Sequence, residues 1–438
     1  MTAAVHRLTW WRQRPFAVLL SSLPFLVGIW LVKTTPAAPA GSLQPMLPSL
    51  ALLQTFPAPG SRGPLPRIWR DRLPMALMER LQRQSASPWA QAWSSHGGTP
   101  PFLILRDVPS RIQVRESFRW GAYTIVAADP LSRQALQADL QRPLAAGHRR
   151  RCPLVDGPAP ALFWSSDALA SLAGPLVPLL QPWQEGCLRL GSEGQQGGRL
   201  TWSGQVTSQP PLVGAATTVS PSGAPPDAPA APLELEGTSL APLLGSLLRQ
   251  GPLLSELRQH YGLSAALQEQ LLGSPFRLRV TANGADAPYR VTLLVALPRA
   301  AGAASPARSL APLLTALARD LPDDLQVVHG GNRSRVVDAA GQVRGGWLQE
   351  DRGVVFSLGG EPDPAPLAAG PVAVARGMRL RASPRTLDGL QLLPEALPMS
   401  LRRSPLLQAD WTPDTAGAAA AQFTGWLSPA AGSPSASE

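Results

Sequence analysis

Cys152 and Cys187 are the residues of this chain whose type and spacing most readily do chemistry. No third thiol competes with them, and the start of the chain reads as an export signal, so the pair reads as one disulfide. Closing a loop of that length stabilises a fold by about 3–4 kcal/mol in the chain-entropy description. A metal site built on them is disfavoured, because two thiols need further ligands and no histidine cluster lies near them in sequence. The five histidines, His6, His96, His148, His260 and His329, are isolated from one another. A catalytic triad from any of them needs Ser and Asp partners far apart in sequence.

The negatives are as informative. Lys33 is the only lysine, so the body has none for a P-loop, a Schiff base or a Ser–Lys pair. The GxSxG, HExxH, GxGxxG and EF-hand patterns are absent. The acid pairs Asp323-Asp324 and Glu350-Asp351 fall at turn-like positions, where neighbouring carboxylates do not converge. Asn332-Arg333-Ser334 fits the N-x-S pattern. No catalytic residue, cofactor or metal follows from these residues.

The element that must place the rest is Pro15–Val32, 18 residues without a charge. It follows Arg7, Arg12 and Arg14, precedes Lys33, and is long enough to cross a hydrocarbon core of about 30 Å. The arginine bias predicts a cytoplasmic N-terminus (residues 1–14) and a body on the periplasmic or lumenal side. The rival reading is a cleaved signal peptide, with Ala38-Pro39-Ala40 before Gly41 as the cleavage site. Either way the body is exported. Residues 1–160 hold 19 Lys+Arg against 7 Asp+Glu, whereas 161–438 hold 20 against 22. A basic collar next to the anchor suits anionic lipid head groups. No nucleic-acid recognition motif accompanies it.

Composition divides the remainder. Residues 33–66 contain eight prolines and read as a spacer. Residues 67–208 and 233–411 read as two α+β lobes, separated by a Pro/Ala/Gly linker at 209–232 and followed by a disordered tail at 412–438. In the first lobe, Asp129-Pro130 opens a helix through Leu140. A strand at Ala161–Ser165, a Leu-rich helix and two strands then follow, an order that returns from Leu233 to Leu297. Phe276, Leu278 and Val280 alternate with Arg277 and Arg279, which predicts an antiparallel sheet with one wet face. The fold class expected is therefore α+β, with repeated strand–helix–hairpin units and antiparallel sheets after one transmembrane helix. Ser239–Leu244 and Ser309–Leu314 are both SLAPLL, a second hint of repetition.

The anchor, the repeated unit, Gly121–Leu136 (GAYTIVAADPLSRQAL) and Leu179–Leu190 with Pro182-Trp183 together resemble an uncharacterised family of membrane-anchored cyanobacterial proteins, a domain of unknown function. The resemblance covers residues 67–360 and implies placement on an envelope or thylakoid membrane; no catalytic residues come with it. The expectation is a single-pass anchored, non-enzymatic interaction or scaffold protein. The alternatives are an envelope hydrolase with a non-contiguous active site and a carrier of apolar ligands.

Overall fold

A computed structural model describes residues 41–429, except 57–68, most of 70–88, 96–99, 107, 109–113, 142–151, 167–182, 194–198, 209–230, 246–247, 249–250, 285–286, 300–305, 369–376, 394–398 and 414–419. Eight strands come from the first half: β1 (Leu50–Phe56), β2 (Trp89–Ser94), β3 (Phe102–Arg106), β4 (Ser117–Trp120), β5 (Tyr123–Val126), β6 (Ala161–Ser165), β7 (Trp183–Glu193) and β8 (Arg199–Ser208). The second half begins with β9 (Leu233–Gly237), β10 (Phe276–Ala282), β11 (Val291–Pro298), β12 (Leu325–Gly330) and β13 (Arg333–Asp338). It ends with β14 (Val343–Glu350), β15 (Gly353–Leu358), β16 (Met378–Ala382), β17 (Leu407–Pro413) and β18 (Ala420–Leu427). The described helices are α1 (Pro130–Gln141), α2 (Ala241–Leu244), α3 (Gly251–Gln259), α4 (Ala265–Gly273), α5 (Pro306–Arg319), α6 (Ala365–Ala368), α7 (Pro384–Gly389) and α8 (Met399–Arg402). The described residues also include two 3-10 turns, Gln44–Ser49 and Pro153–Asp156.

All 18 strands join one antiparallel sheet. The pairings give the spatial order β4-β5-β3-β2-β1-β6-β7-β8-β18-β17-β16-β9-β10-β11-β15-β14-β13-β12. The order is a duplication. In each half the first three strands form a meander (β1-β2-β3, β9-β10-β11). A later strand returns to pair with the first (β6 on β1, β16 on β9) and continues into two more. The last strands of the halves, β8 and β18, then pair with each other.

That junction has a local twofold pattern. Trp202 faces Gly425, Ser203 faces Thr424 and Gly204 faces Phe423. Each strand thus carries aromatic, hydroxyl, glycine in order, and each aromatic ring lies opposite the other strand's glycine. A Cβ at Gly425 would collide with the Trp202 ring and the Gln408 carbonyl; one at Gly204 would collide with the Cys187 carbonyl. Phe423 stacks on Trp411 with centroids 4.8 Å apart and meets Trp164 edge-on at 6.4 Å.

Strand parity separates two faces. On the front face one apolar core crosses the junction, from Trp164, Leu188 and Val206 to Trp411, Leu235 and Phe276. It is covered in the second half by Leu243, Leu257, Leu267, Leu310 and Leu314 of the helices. Local signals start two of the helices: Ser264 Oγ accepts the Leu267 N–H ahead of α4, and Asp129 Oδ1 accepts the Ser132 N–H (2.8 Å) at α1. The back face is apolar at each flank. A core around Leu47, Leu53, Phe102, Ile125 and Phe163 lies in the first half, and a smaller one of Leu294, Ala296, Leu348, Val355 and Leu367 in the second. Between them, registered charges cross the strands: Asp410–Arg379–Glu236–Arg277 in one row and Gln408–Arg381–Glu234–Arg279 in the next.

The fold class expected from sequence is corrected. Instead of two α+β lobes with separate sheets, a single antiparallel sheet dominates, because β8 and β18 join the halves through paired backbone and a shared front core. The spacer and tail boundaries shift for the same reason. Leu50, Leu52 and Leu53, inside the stretch read as spacer, lie in β1, which pairs with both β2 and β6. β18 lies inside the stretch read as disordered tail; its Ala421, Phe423 and Leu427 face the front core, and its small residues permit close strand approach. The SLAPLL repeat straddles the start of α2 after β9 but falls within α5 after β11, so its copies occupy non-equivalent places. Residues 15–32 lie outside the described residues, among which no helix is long and apolar enough to cross a membrane.

Candidate functional site

Cys152 and Cys187 form a disulfide with Cα atoms 5.3 Å apart across 35 residues of sequence. It ties the Pro153–Asp156 turn to the back of β7. Asp156 in turn accepts Ser42 Oγ–H and the Leu43 N–H, both at 2.7 Å. A cavity of about 180 Å³ beside these groups is lined by Thr55, Ile104, Tyr123 and Asp156. The Tyr123 hydroxyl donates to the Gly41 carbonyl, so the cavity's central polar groups are engaged in holding the entry to β1.

His6, His96 and His148 lie outside the described residues. His260, at the end of α3, is exposed and pairs with Glu256 at 3.1 Å, one helical turn away. His329 is different. It lies on β12, at the lip of a cleft of about 290 Å³ between α5 and the β12–β14 face. Ala311, Leu314, Thr315 and Ala318 form the helix wall, while His329, Asn332, Ser334, Trp347 and Gln349 form the sheet wall. His329 Nδ1 and Ser334 Oγ share a hydrogen bond of 2.9 Å, and the imidazole meets Trp347 edge-on with centroids 6.4 Å apart.

The register explains the pair. Gly331-Asn332 is a two-residue turn, Gly331 has φ +63°, and His329 stands directly opposite Ser334. The Asn332 carbonyl accepts the Gln349 N–H at 2.8 Å, anchoring the turn to β14. A serine nucleophile needs a base oriented by a further group, and an oxyanion site. The residues lining this cleft include no carboxylate, and Ser334 is only 8% exposed. The pair is a cross-strand contact that sets the cleft wall. Asp323-Asp324 precedes β12 and Glu350-Asp351 occupies the β14–β15 turn. Among the described residues no group of three His, Cys, Asp or Glu side chains can hold a metal ion.

What distinguishes the cleft is its border. β12 is the last strand in the sheet and pairs only with β13 among the described residues. A two-residue turn closes on a hydrogen-bonded pair, so the alternation directs the N–H groups of Val327 and His329 away from β13. β12 contains no charged residue and no proline, the usual guards of an open edge. The signal for the edge was not in β12 itself but in Gly330-Gly331-Asn332, whose turn fixes the register. Comparison with protein-family models, with curated proteins and with solved structures finds no match.

Proposed function

We propose that the protein is a membrane-anchored, non-catalytic interaction module that takes an extended polypeptide segment as an added strand on β12. The observation that carries this reading is the uncharged, unpaired edge of β12 running along a cleft walled by α5. Strand addition draws affinity from main-chain hydrogen bonds and specificity from pockets for alternate side chains. Here the alternate side chains on the front side meet Leu314, Ala318 and Trp347. Exposed Asp320, Asp323 and Asp324 flank the start of β12, so the segment that fits is extended, carries small apolar side chains at alternate positions, and is basic at one end. Anchoring is supported by the uncharged run at 15–32 behind three arginines.

The test is selection of random decapeptides on the detergent-solubilised full chain, followed by amide exchange with a selected peptide. We expect protection at Val327 and His329, and loss of binding in Val327→Pro with the melting temperature preserved, because that N–H makes no bond to β13. Binding that survives Val327→Pro, or protection confined to other strands, would overturn the reading.

A further inference from the structure

The back face between the two apolar flanks carries a second, independent feature: an arginine surplus laid over a polar floor, in which Glu185 stands beside Gln205 and Gln422 at the β7 end. The carboxylates of the two charged rows are all engaged. Asp410 binds Arg379 Nε at 2.6 Å, Glu234 lies 2.9 Å from Arg279 Nε, and Glu236 lies 3.4 Å from Arg277. Arg277 also donates to the Pro366 carbonyl and is 5% exposed. Arg381 is left over. It stands between Gln408 and Glu234 in register, yet its Nε is buried and makes no hydrogen bond.

The rows continue across the junction. Asp410 is followed by Thr424, Ser203 and Arg189, and Gln408 by Trp426 and Thr201. Arg189 is exposed and has no carboxylate partner among the described residues, and the guanidinium of Arg199 lies 4.1 Å over the Trp426 ring. Ser203, Gln205, Gln422 and Thr424 are exposed on the same face. From β7 to β16 is four strand spacings, so Arg189 and Arg381 stand about 19 Å apart. A ligand engaging both is an extended polyanion several units long.

We infer that this face binds an acidic polysaccharide carrying carboxylates, such as a polyuronate. Guanidinium forks match carboxylate geometry in pairs. The hydroxyl and amide side chains between them suit sugar hydroxyls, which both donate and accept. A lipid surface is matched by several apolar side chains beside the basic ones, and between Arg189 and Arg381 the floor carries only the half-buried Trp426, covered by Arg199. Single-stranded nucleic acid is matched by open aromatic platforms, whereas Trp426 is capped by Arg199.

The experiment is calorimetric titration of the full chain with decagalacturonate at low and moderate salt. Vesicles of phosphatidylglycerol with phosphatidylcholine, maltodecaose and oligodeoxythymidylate are run in parallel. We expect saturable binding of decagalacturonate that weakens with salt, no binding of the neutral maltodecaose, and at least a tenfold loss in Arg381→Gln. Arg189→Gln, at an exposed position that leaves packing untouched, is expected to show a comparable loss at unchanged melting temperature. No binding of decagalacturonate, binding indifferent to Arg189→Gln, equal binding of maltodecaose, or tighter binding of the vesicles or the oligonucleotide would each overturn the inference.

Discussion

The β1–β8 half and the β9–β18 half of the sheet share a strand plan and differ in what is built onto it. Beyond β3 the described residues of the first half add the short hairpin β4–β5 and the helix α1. Its outer edge is β4, which contains Arg119, and that guanidinium donates to the Val108 carbonyl. Beyond β11 the second half adds α5 and four strands, ending at β12, whose edge is uncharged. The backs differ as well. Around β1, β2, β3 and β5 of the first half both faces are apolar and a disulfide closes the back; in the second half the strands β9, β10 and β16 carry paired charges. One plan is therefore held by burial and a covalent tie on one side and by a half-buried ion lattice on the other. Burial is roughly proportional to apolar area removed from water, whereas an ion pair offsets its own desolvation only with good partners. The outer strands of the first half are accordingly the stable platform, and the junction and the second half expose the surfaces that can recognise something.

The largest effect that sharpens this contrast comes from the disulfide. Replacing both Cys152 and Cys187 by alanine is expected to cost about 3–4 kcal/mol in denaturant unfolding, given the 35-residue separation. The front core runs from Trp164 to Phe276 across the junction, so the loss should shift one cooperative transition. Two separated transitions, with β9–β18 unmoved, would break the claim that the junction couples the halves.

The junction itself offers the next effect. Gly204→Ala and Gly425→Ala each place a Cβ against a carbonyl of the neighbouring strand, and the second also against the Trp202 ring. Overpacking of this kind costs about 1–3 kcal/mol. The local twofold pattern makes the two losses similar in unfolding titrations. A fully tolerated substitution at one site alone would show that the two sides of the junction are not equivalent.

Parts of this architecture were open to reading in the sequence. Phe276, Leu278 and Val280 alternate with two arginines, and the period of two is a local signal that survives without any partner strand. The partner strands are another matter. β8 (Arg199–Ser208) meets β18 (Ala420–Leu427) from the far end of the chain, and only the short words Trp202-Ser203-Gly204 and Phe423-Thr424-Gly425 hint at it. β18 is hidden because alanine and glycine carry no strand propensity; the neighbouring Trp202 and Trp411 supply the surface that makes it a strand. β1 is hidden among prolines for a similar reason, as three leucines outweigh the spacer composition once β2 and β6 flank them. His329 reads in the sequence only as one of five isolated histidines; Ser334 becomes its cross-strand neighbour because the turn closes over Gly331-Asn332. Its position at a free edge depends on every other pairing in the sheet, and no local pattern carries that.

The smallest effect concerns the hairpin that the second half alone possesses. Asp338 ends β13 and holds the turn to β14: its Oδ1 accepts the N–H groups of Gln342 (2.8 Å) and Ala340 (3.0 Å), and its Oδ2 accepts Arg344 Nε (2.8 Å). These donors, the Gln342 N–H foremost and then Arg344, hold the carboxyl below its ordinary range, against an opposing push from burial. A carboxyl lowered in the folded state is ionised more readily there than in the open hairpin, so the turn is favoured while the pH stays above the ordinary carboxylate value. That contribution fades as the pH falls through the ordinary value toward the lowered one. Acidification should therefore lower the protection of the Ala340 and Gln342 amides, measured against their intrinsic exchange rates at each pH, before it affects β4–β5. Asp338→Asn should leave that protection low and independent of pH. The effect is local, visible in exchange rates and not in the melting temperature, since only the β13–β14 turn depends on this carboxylate. Protection at Gln342 that stays unchanged between neutral and acidic pH in the unaltered chain would show that the carboxylate contributes nothing to the turn, and that β14 is held by its backbone pairing with β13 and β15.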